Sequence, residues 1–157
     1  MHTILYSITY DQYQKDSQDI EEVASIAVPR VDYVQHLDKQ DEKRCIENLL
    51  GMLKNAGCEV DMEKRSFKVA DREKLARFFL SDFTDKKPLP LTITSYEELA
   101  GLFSEIRYYT SYNYPCIKEG SMFLSLFDAL KDDMFGAWKT ISGNYTYYIC
   151  GAYDCHF

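Results

Sequence analysis

The stretch that decides the fold runs from Asp38 to Phe83 and reads DKQDEKRCIENLLGMLKNAGCEVDMEKRSFKVADREKLARFFLSDF. Asp38 can cap a helix, because its carboxylate can accept hydrogen bonds from the free N–H groups of the first turn. Apolar side chains then recur every three or four residues, which predicts one buried helical face. This face comprises Cys45, Ile46, Leu49, Leu50, Met52, Leu53 and Ala56. Gly57 is placed to end the helix, since glycine adopts left-handed backbone without steric penalty.

A short β-hairpin is predicted after this helix. From Cys58 to Glu63, apolar and acidic side chains alternate, which is the period-two pattern of a strand with one solvated face. Residues 64–66 are expected to turn the chain, and Phe67 and Val69 to return it as the partner strand.

A second helix follows the hairpin, with Asp71 placed to cap it. Its Leu75, Phe78, Phe79 and Phe83 form an apolar stripe that is rich in aromatic rings. A fully buried phenylalanine or leucine stabilises a fold by about 1.5–3 kcal/mol, so this stripe needs a partner surface. We expect that partner to be the first helix, lying beside it on one face of a sheet.

The chain before Asp38 predicts a strand and a helix. Residues 3–9 are rich in β-branched and aromatic side chains, which favour a strand. A helical pattern begins at Ser17 and ends at Pro29, with Ile20, Val23, Ala24 and Ala27 on one face. Residues 31–37 fit either a short strand or a lead-in to the central helix.

The chain after Phe83 carries four further patterns. The first is an edge strand at Leu89, Leu91 and Ile93, and the second is a helix with an apolar stripe at Leu99, Leu102, Phe103 and Ile106. The third is a helix opened by Gly120 and Ser121, with an apolar stripe at Phe123, Leu126, Phe127, Leu130 and Met134. The fourth is a hairpin that turns at Gly143–Asn144. Pro90 has no N–H group, which favours an edge position for the strand. Thr94 with Glu97, or Ser95 with Glu98, can form a capping box for the first of the helices.

The composition and these patterns predict the fold class. The chain has 157 residues, of which 46% are hydrophobic and 15% aromatic, as expected for a folded protein. We predict a single globular domain over residues 1–157 with an α+β fold, in which about four to five helices pack on a mixed or mainly antiparallel sheet.

The sequence predicts a cytoplasmic protein that does not enter the membrane. No apolar run approaches the roughly 20 residues that span a bilayer, and residues 1–12 lack the pattern of a secretory leader. The five cysteines are odd in number and irregularly spaced, which is typical of reduced thiols.

The charge argues against direct binding of nucleic acid, which requires a basic footprint on the protein. The net charge is −7, and the 12 basic side chains of residues 36–99 are interleaved with 13 acidic ones. Residues 1–35 carry six acidic and two basic side chains. Asp16, Asp19, Glu21 and Glu22 therefore form a candidate surface for a protein partner with a basic surface. The alternative is that the charge serves only solubility.

The segment RYYTSYNYP, residues 107–115, is the strongest candidate for a binding surface. Tyrosine and arginine offer large contact areas with polar tips and are enriched in interaction hot spots. The candidate residues are Arg107, Tyr108, Tyr109, Tyr112 and Tyr114. The alternative is a helix end running into a loop, whose tyrosines pack on the core and leave their hydroxyls in water.

No metal site, cofactor or catalytic residue is predicted. Cys150, Cys155 and His156 lie close in sequence, but their spacing differs from the paired ligands of zinc sites. Adjacent carboxylates such as Glu21 and Glu22 diverge by about 100° on a helix and make poor acid–base pairs. No glycine-rich loop is present to hold a phosphate group.

The leading hypothesis is a non-enzymatic protein-binding protein with an acidic flank and a tyrosine-rich surface. A sharper version is an inhibitor that occupies the nucleic-acid-binding site of its target. Small acidic phage-encoded inhibitors of restriction or CRISPR nucleases have this general character, and the analogy rests on no motif. The alternatives are a small enzyme that uses Cys116, Cys150 or Cys155 with a histidine, and a structural subunit that associates with itself. The oligomeric state is left open.

Overall fold

The computed structural model describes residues 1–13, 19–86, 92, 94–118, 123–135 and 145–157. Within these residues the chain forms seven strands and five helices. In chain order they are β1 (His2–Thr9), α1 (Ile20–Ala27), β2 (Tyr33–His36), α2 (Lys39–Asn55), β3 (Glu59–Asp61), β4 (Ser66–Lys68), α3 (Arg72–Lys86), α4 (Tyr96–Asn113), β5 (Pro115–Lys118), β6 (Phe123–Ser125), α5 (Leu126–Phe135) and β7 (Thr146–His156).

The strands form one mixed, mostly antiparallel sheet in the order β3-β4-β7-β1-β5-β6. The last strand, β7, is central: β1 pairs along one edge of it, while β4 and β2 share the other edge. Only the pairing of β1 with β5 is parallel among the described strands. The predicted α+β class, with a mixed or mainly antiparallel sheet, is confirmed.

The central stretch folds as its sequence predicts. Asp38 caps α2, and its Oδ1 accepts the N–H groups of Gln40 at 2.9 Å and Asp41 at 2.8 Å. Gly57 follows α2 with φ +93°, the left-handed conformation that glycine permits. The hairpin of β3 and β4 turns through Arg65, which also has a positive φ of 50°.

The aromatic stripe of α3 is buried, but its nearest ring contacts come from α4 and α5 rather than from α2. Asp71 accepts the Lys74 N–H at 2.9 Å at the start of the helix. The ring of Phe79 meets those of Tyr114 and Phe127 edge-on, with centroids 5.8 and 5.7 Å apart. The apolar residues of α2 join the same core cluster. Both helices therefore lie on one face of the sheet, as predicted.

Helices cover both faces of the sheet, because neighbouring residues of a strand point in opposite directions. In β1, Tyr6 and Ile8 face a core that is completed by α2, α3 and α5. Leu5 faces a second core, which includes Val23 and Ala27 of α1. The helix α4 contacts α3 and α5 and thus lies on the first face. The acidic start of α1 lies on the opposite face from α4.

The region after α3 departs from the predictions in several places. The tyrosine-rich segment continues α4 as far as Asn113 instead of entering a loop. Phe123 lies in β6 rather than in the following helix, which begins at Leu126. The short strand β5 was not predicted at all. The predicted edge strand at Leu89, Leu91 and Ile93 and the turn at Gly143–Asn144 lie outside the described residues.

The stripe predicted for α4 is buried only in part. Ile106 is 4% exposed, but Leu99 and Phe103 are 37% and 45% exposed. The helix has 18 residues and two glutamates in its first turn. No described helix is both long enough and apolar enough to cross a membrane.

Candidate functional site

Two of the four predicted tyrosines anchor α4 to α3. Tyr109 and Tyr114 both donate their hydroxyl hydrogens to Oδ2 of Asp82, at 3.2 and 2.9 Å. The ring of Tyr109 also meets that of Phe83 edge-on at 5.5 Å. Burial and the Asp82 carboxylate together raise the pKa of both phenols above the ordinary value. These half-buried residues stabilise the helix pair.

The other two tyrosines contact each other, and of the two Tyr108 is exposed while Tyr112 is half-buried. Tyr108 and Tyr112 lie one helical turn apart, and the Tyr108 hydroxyl donates to that of Tyr112 at 3.1 Å. Their rings meet edge-on with centroids 4.8 Å apart. Tyr112 in turn reaches the ring of Phe157, at 4.9 Å. We call these three residues the tyrosine surface.

A groove of about 420 Å³ runs beside the tyrosine surface. Its lining consists of Phe83, Ser104, Glu105, Tyr108, Tyr109, Tyr112 and Asn113. This volume is within the range of about 300–1,000 Å³ that small ligands and inserted side chains occupy. Aromatic walls with a few hydroxyl, amide and carboxylate groups suit an amphipathic side chain of a partner.

Arg107, the fifth predicted residue of the segment, faces α5. Its Nε donates to Oδ1 of Asp128 at 2.9 Å, and the Asp128 side chain is 15% exposed. The other oxygen of Asp128 accepts the Ser125 hydroxyl at 3.0 Å. Arg107 therefore holds α4 against the start of α5 and lies outside the tyrosine surface.

The predicted acidic residues that the structure describes are at the start of α1 and not on α4. Asp19 caps α1, and Oδ1 of its carboxylate accepts the Glu21 N–H at 3.3 Å. Glu21 and Glu22 are exposed in the first turn, and no described side chain forms an ion pair with either. Val23 and Ala27 of α1 pack in the second core, whereas α4 contacts α3 and α5 on the first face. Asp16 lies outside the described residues.

The three buried cysteines show no sign of activation. Cys116 and Cys155 are fully buried and Cys58 is 6% exposed. Burial raises the pKa of Cys58 to about 11 and that of Cys155 to about 12, and it raises the pKa of Cys116 as well. A nucleophilic cysteine needs the opposite shift.

The residues considered for a metal site do not converge. Cys155 points into the second core, whereas its neighbour His156 points to the other face of the sheet, as alternation along β7 requires. Among the residues that the structure describes, no group of three or more His, Cys, Asp or Glu side chains is arranged to hold a metal ion.

Sequence reasoning missed two residues that shape this site. Asp82 anchors two tyrosines from another helix, and Phe157 extends the tyrosine surface from the end of the chain. The four-residue spacing of Tyr108 and Tyr112 was the available signal for a shared helical face, provided that the helix extended so far. Comparisons of this chain with protein-family models, with curated proteins and with solved structures found no match.

The different roles of the tyrosines predict different effects on stability. Tyr114→Phe is expected to lower the free energy of unfolding by about 1–2 kcal/mol, because it removes a half-buried hydrogen bond to a carboxylate. Tyr108→Phe is the matched control and should change it by less than about 0.5 kcal/mol, since its hydroxyl is exposed. Urea denaturation measures both, and equal effects would contradict the distinction between the anchored Tyr114 and the exposed Tyr108.

Proposed function

We propose that this chain is a non-enzymatic protein-binding protein and that the tyrosine surface on α4 contacts its partner. The observation that carries the proposal is the pair formed by Tyr108, which is 67% exposed, and the half-buried Tyr112 beside it. The mutual hydroxyl bond and ring contact hold both side chains in place before binding. A preorganised aromatic pair therefore loses little conformational entropy when a partner covers it.

The position of Tyr108 and Tyr112 on α4 supports a role in binding and not in core packing. Ile106 and Thr110 form the buried side of α4. Tyr108 and Tyr112 each follow one of them by two residues, about 200° further around the helix. Their side chains consequently point away from the buried side of the helix, and Tyr108 faces solvent. Such rigid aromatic residues provide the anchors of many protein interfaces.

The charge distribution supports a basic partner. Many charges of α2, α3 and the hairpin neutralise one another in local ion pairs, namely Lys43 with Glu47, Arg44 with Asp41, Lys64 with Asp61 and Arg77 with Glu73. Glu21 and Glu22 have no such neighbour among the described side chains. Their excess negative charge can steer a basic surface toward the chain. In its sharper form, the proposal is an inhibitor that occupies a nucleic-acid-binding site and acts in the cytoplasm, where its thiols remain reduced.

Affinity capture with matched variants tests the tyrosine surface. The full chain serves as bait beside the double variant Tyr108→Ala/Tyr112→Ala, and beside Tyr96→Ala as a control for an equally aromatic, 84% exposed position on the same helix. A partner is then purified and its affinity measured by calorimetry. We expect each tyrosine substitution to weaken binding by about 30-fold, the effect of a hot spot of 2 kcal/mol. Unchanged affinity in the double variant would refute the tyrosine surface as the contact site.

Binding kinetics and competition experiments distinguish the role of the acidic residues from that of the tyrosine surface, and the inhibitor from a self-associating subunit. Glu21→Gln/Glu22→Gln should slow association and reduce its dependence on salt, while Tyr108→Ala should mainly speed dissociation. If the chain occupies a nucleic-acid-binding site, an oligonucleotide bound to the partner will compete with it. Light scattering of the bait alone tests for self-association. A concentration-dependent dimer that Tyr108→Ala abolishes would identify the partner as a second copy of the chain. The chain would then be a self-associating subunit and not an inhibitor.

A further inference from the structure

The groove beside the tyrosine surface has the lining of a site for a cationic group. Four of its lining residues are aromatic, namely Phe83, Tyr108, Tyr109 and Tyr112. Glu105 adds a carboxylate, and none of the described residues that line the groove is basic. The nearby Arg107 is neutralised by Asp128, to which its Nε donates at 2.9 Å. Since the face of an aromatic ring is negative, aromatic walls beside a carboxylate attract a positive charge.

The end of α3 adds negative charge to this region. Residues 81–86 contain two carboxylates, Asp82 and Asp85, against a single lysine, Lys86. Both carboxylates act on a wall of the groove: burial raises the pKa of the Tyr109 phenol, and the charges of Asp82 and Asp85 raise it further. The field at the groove therefore favours a cation over a phosphate or a carboxylate.

Hydrogen bonds within the protein already use several donor hydrogens of the lining side chains. The Tyr109 hydroxyl donates to Asp82 at 3.2 Å, and the amide of Asn113 donates to the Tyr109 carbonyl oxygen at 2.8 Å. The bond between the hydroxyls of Tyr108 and Tyr112 uses one more hydrogen. The oxygens of these groups keep lone pairs for a ligand, so the lining complements a group that is rich in donors.

Among cationic side chains, arginine fits this lining better than lysine. Its guanidinium presents five N–H donors and no acceptor, and its plane can stack on an aromatic ring while its edge donates to oxygen atoms. The lysine ammonium is a compact, strongly hydrated charge that leaves water less readily. Arginine is also enriched in interaction hot spots, which tend to pair with hot spots of the partner.

We propose that an arginine side chain of the basic partner inserts into this groove, with aromatic rings that include Tyr108 and Tyr112 as its walls and the Glu105 carboxylate as its counter-ion. The inference rests on the proposed function, because it takes the tyrosine surface as the contact site. It adds the chemical group that the partner supplies there.

An NMR titration of the full chain with N-acetyl-arginine N-methylamide tests the inference without the partner. Two matched probes are titrated at the same ionic strength: the citrulline analogue, which has nearly the same shape without the charge, and the lysine analogue. We expect saturable shifts of the amide signals of residues 104–113, with a dissociation constant on the order of 10 mM. The citrulline and lysine probes should each bind more weakly by about fivefold or more.

Three variants locate the bound probe. Tyr108→Ala should weaken binding of the arginine probe by about fivefold or more, because it removes a wall of the groove. Glu105→Gln should weaken the arginine probe by about threefold and leave the citrulline probe unchanged, since it removes only charge. Tyr96→Ala is the matched control and should have no effect, because this tyrosine is 84% exposed on the same helix and does not line the groove.

The results separate a failure of this inference from a failure of the proposed function. Equal binding of the arginine and citrulline probes, tighter binding of the lysine probe, or no saturable shift would overturn the inference. The proposed function would still stand if Tyr108→Ala/Tyr112→Ala weakened capture of the partner. Unchanged capture by that double variant would refute the proposed function, and with it the arginine of a partner as the occupant, even if the arginine probe bound.

Discussion

Phe79→Ala is expected to lower the free energy of unfolding by about 3–5 kcal/mol, the usual effect of removing a fully buried phenylalanine. Phe79 has no exposed surface and packs between the end of α4 and the start of α5. Its ring contacts those of Tyr114 and Phe127, so its loss leaves both without an edge-on partner. Since small domains are stable by about 5–15 kcal/mol, this single change removes a large share of the total.

Phe103→Ala is the matched control for this prediction. It removes the same side chain from a neighbouring helix, but Phe103 is 45% exposed and should contribute less than about 1 kcal/mol. If Phe79→Ala does not fold, Phe79→Leu provides a graded change, with an expected loss of about 1–2 kcal/mol. Chemical denaturation monitored by circular dichroism measures all three. Equal losses for positions 79 and 103 would contradict the burial seen here.

The central stretch was predictable because each of its signals is local. The Asp38 cap, the apolar spacing of α2 and the position of Gly57 all act within a few residues of the structure they determine. Glu98 is a further example, since its N–H is bonded to Ser95 and its carboxylate accepts the Thr94 N–H. Such contacts are independent of the rest of the fold and can be inferred from sequence alone.

The sheet was less predictable because its pairings join distant parts of the chain. β7 pairs with β1, β2 and β4, which precede it by about 80 to 150 residues. The register between β1 and β7 shifts between Ser7 and Ile8, and beyond this shift the side chains of β7 change from one face of the sheet to the other. The three residues of β6 are too few to show a period, so Phe123 was assigned to a helix instead.

The candidate site was predictable in composition but not in arrangement. The tyrosine segment was singled out, yet the anchoring of Tyr109 and Tyr114 depends on Asp82 of another helix. His2 and His156 are likewise paired across the sheet because of the register of β1 and β7, which no local pattern encodes. Spacing reveals which side chains share a face, whereas partners across the fold require the topology.

Loss of stability in alkaline solution is the second large effect that we expect. The thiols of Cys58, Cys116 and Cys155 are buried, and burial raises their pKa above the ordinary value of about 8.5. Burial also raises the pKa of the phenol of Tyr6. As the pH rises past the ordinary values, these groups lose their protons in the unfolded chain before they do so in the folded protein. The unfolded chain then binds fewer protons, so the free energy of unfolding falls.

The sign and the pH range follow from the direction of these shifts. A group with a raised pKa contributes its full stability below the pKa of the unfolded chain, and this contribution is lost as the pH rises toward the pKa of the folded state. Each such group adds a slope of about 1.4 kcal/mol per pH unit in that interval. For the three thiols, the decline in the free energy of unfolding should begin at about pH 9. It should continue past about pH 10, where the phenols of the unfolded chain begin to ionise.

Cys116→Ala isolates one of these contributions, because Cys116 is fully buried in β5. Between about pH 9 and 11, the free energy of unfolding of the variant should fall less steeply with pH than that of the wild-type chain, by about 1.4 kcal/mol per pH unit. This difference is expected whatever the stability of the variant at neutral pH. Ile117→Val in the same strand is the control: it should lower stability by about 0.5–1.5 kcal/mol at every pH and leave the slope unchanged, since it removes no ionisable group. Urea denaturation across this pH range measures both. If Cys116→Ala and Ile117→Val had the same slope, the Cys116 thiol would have to ionise as readily in the folded protein as in the unfolded chain, which its burial opposes.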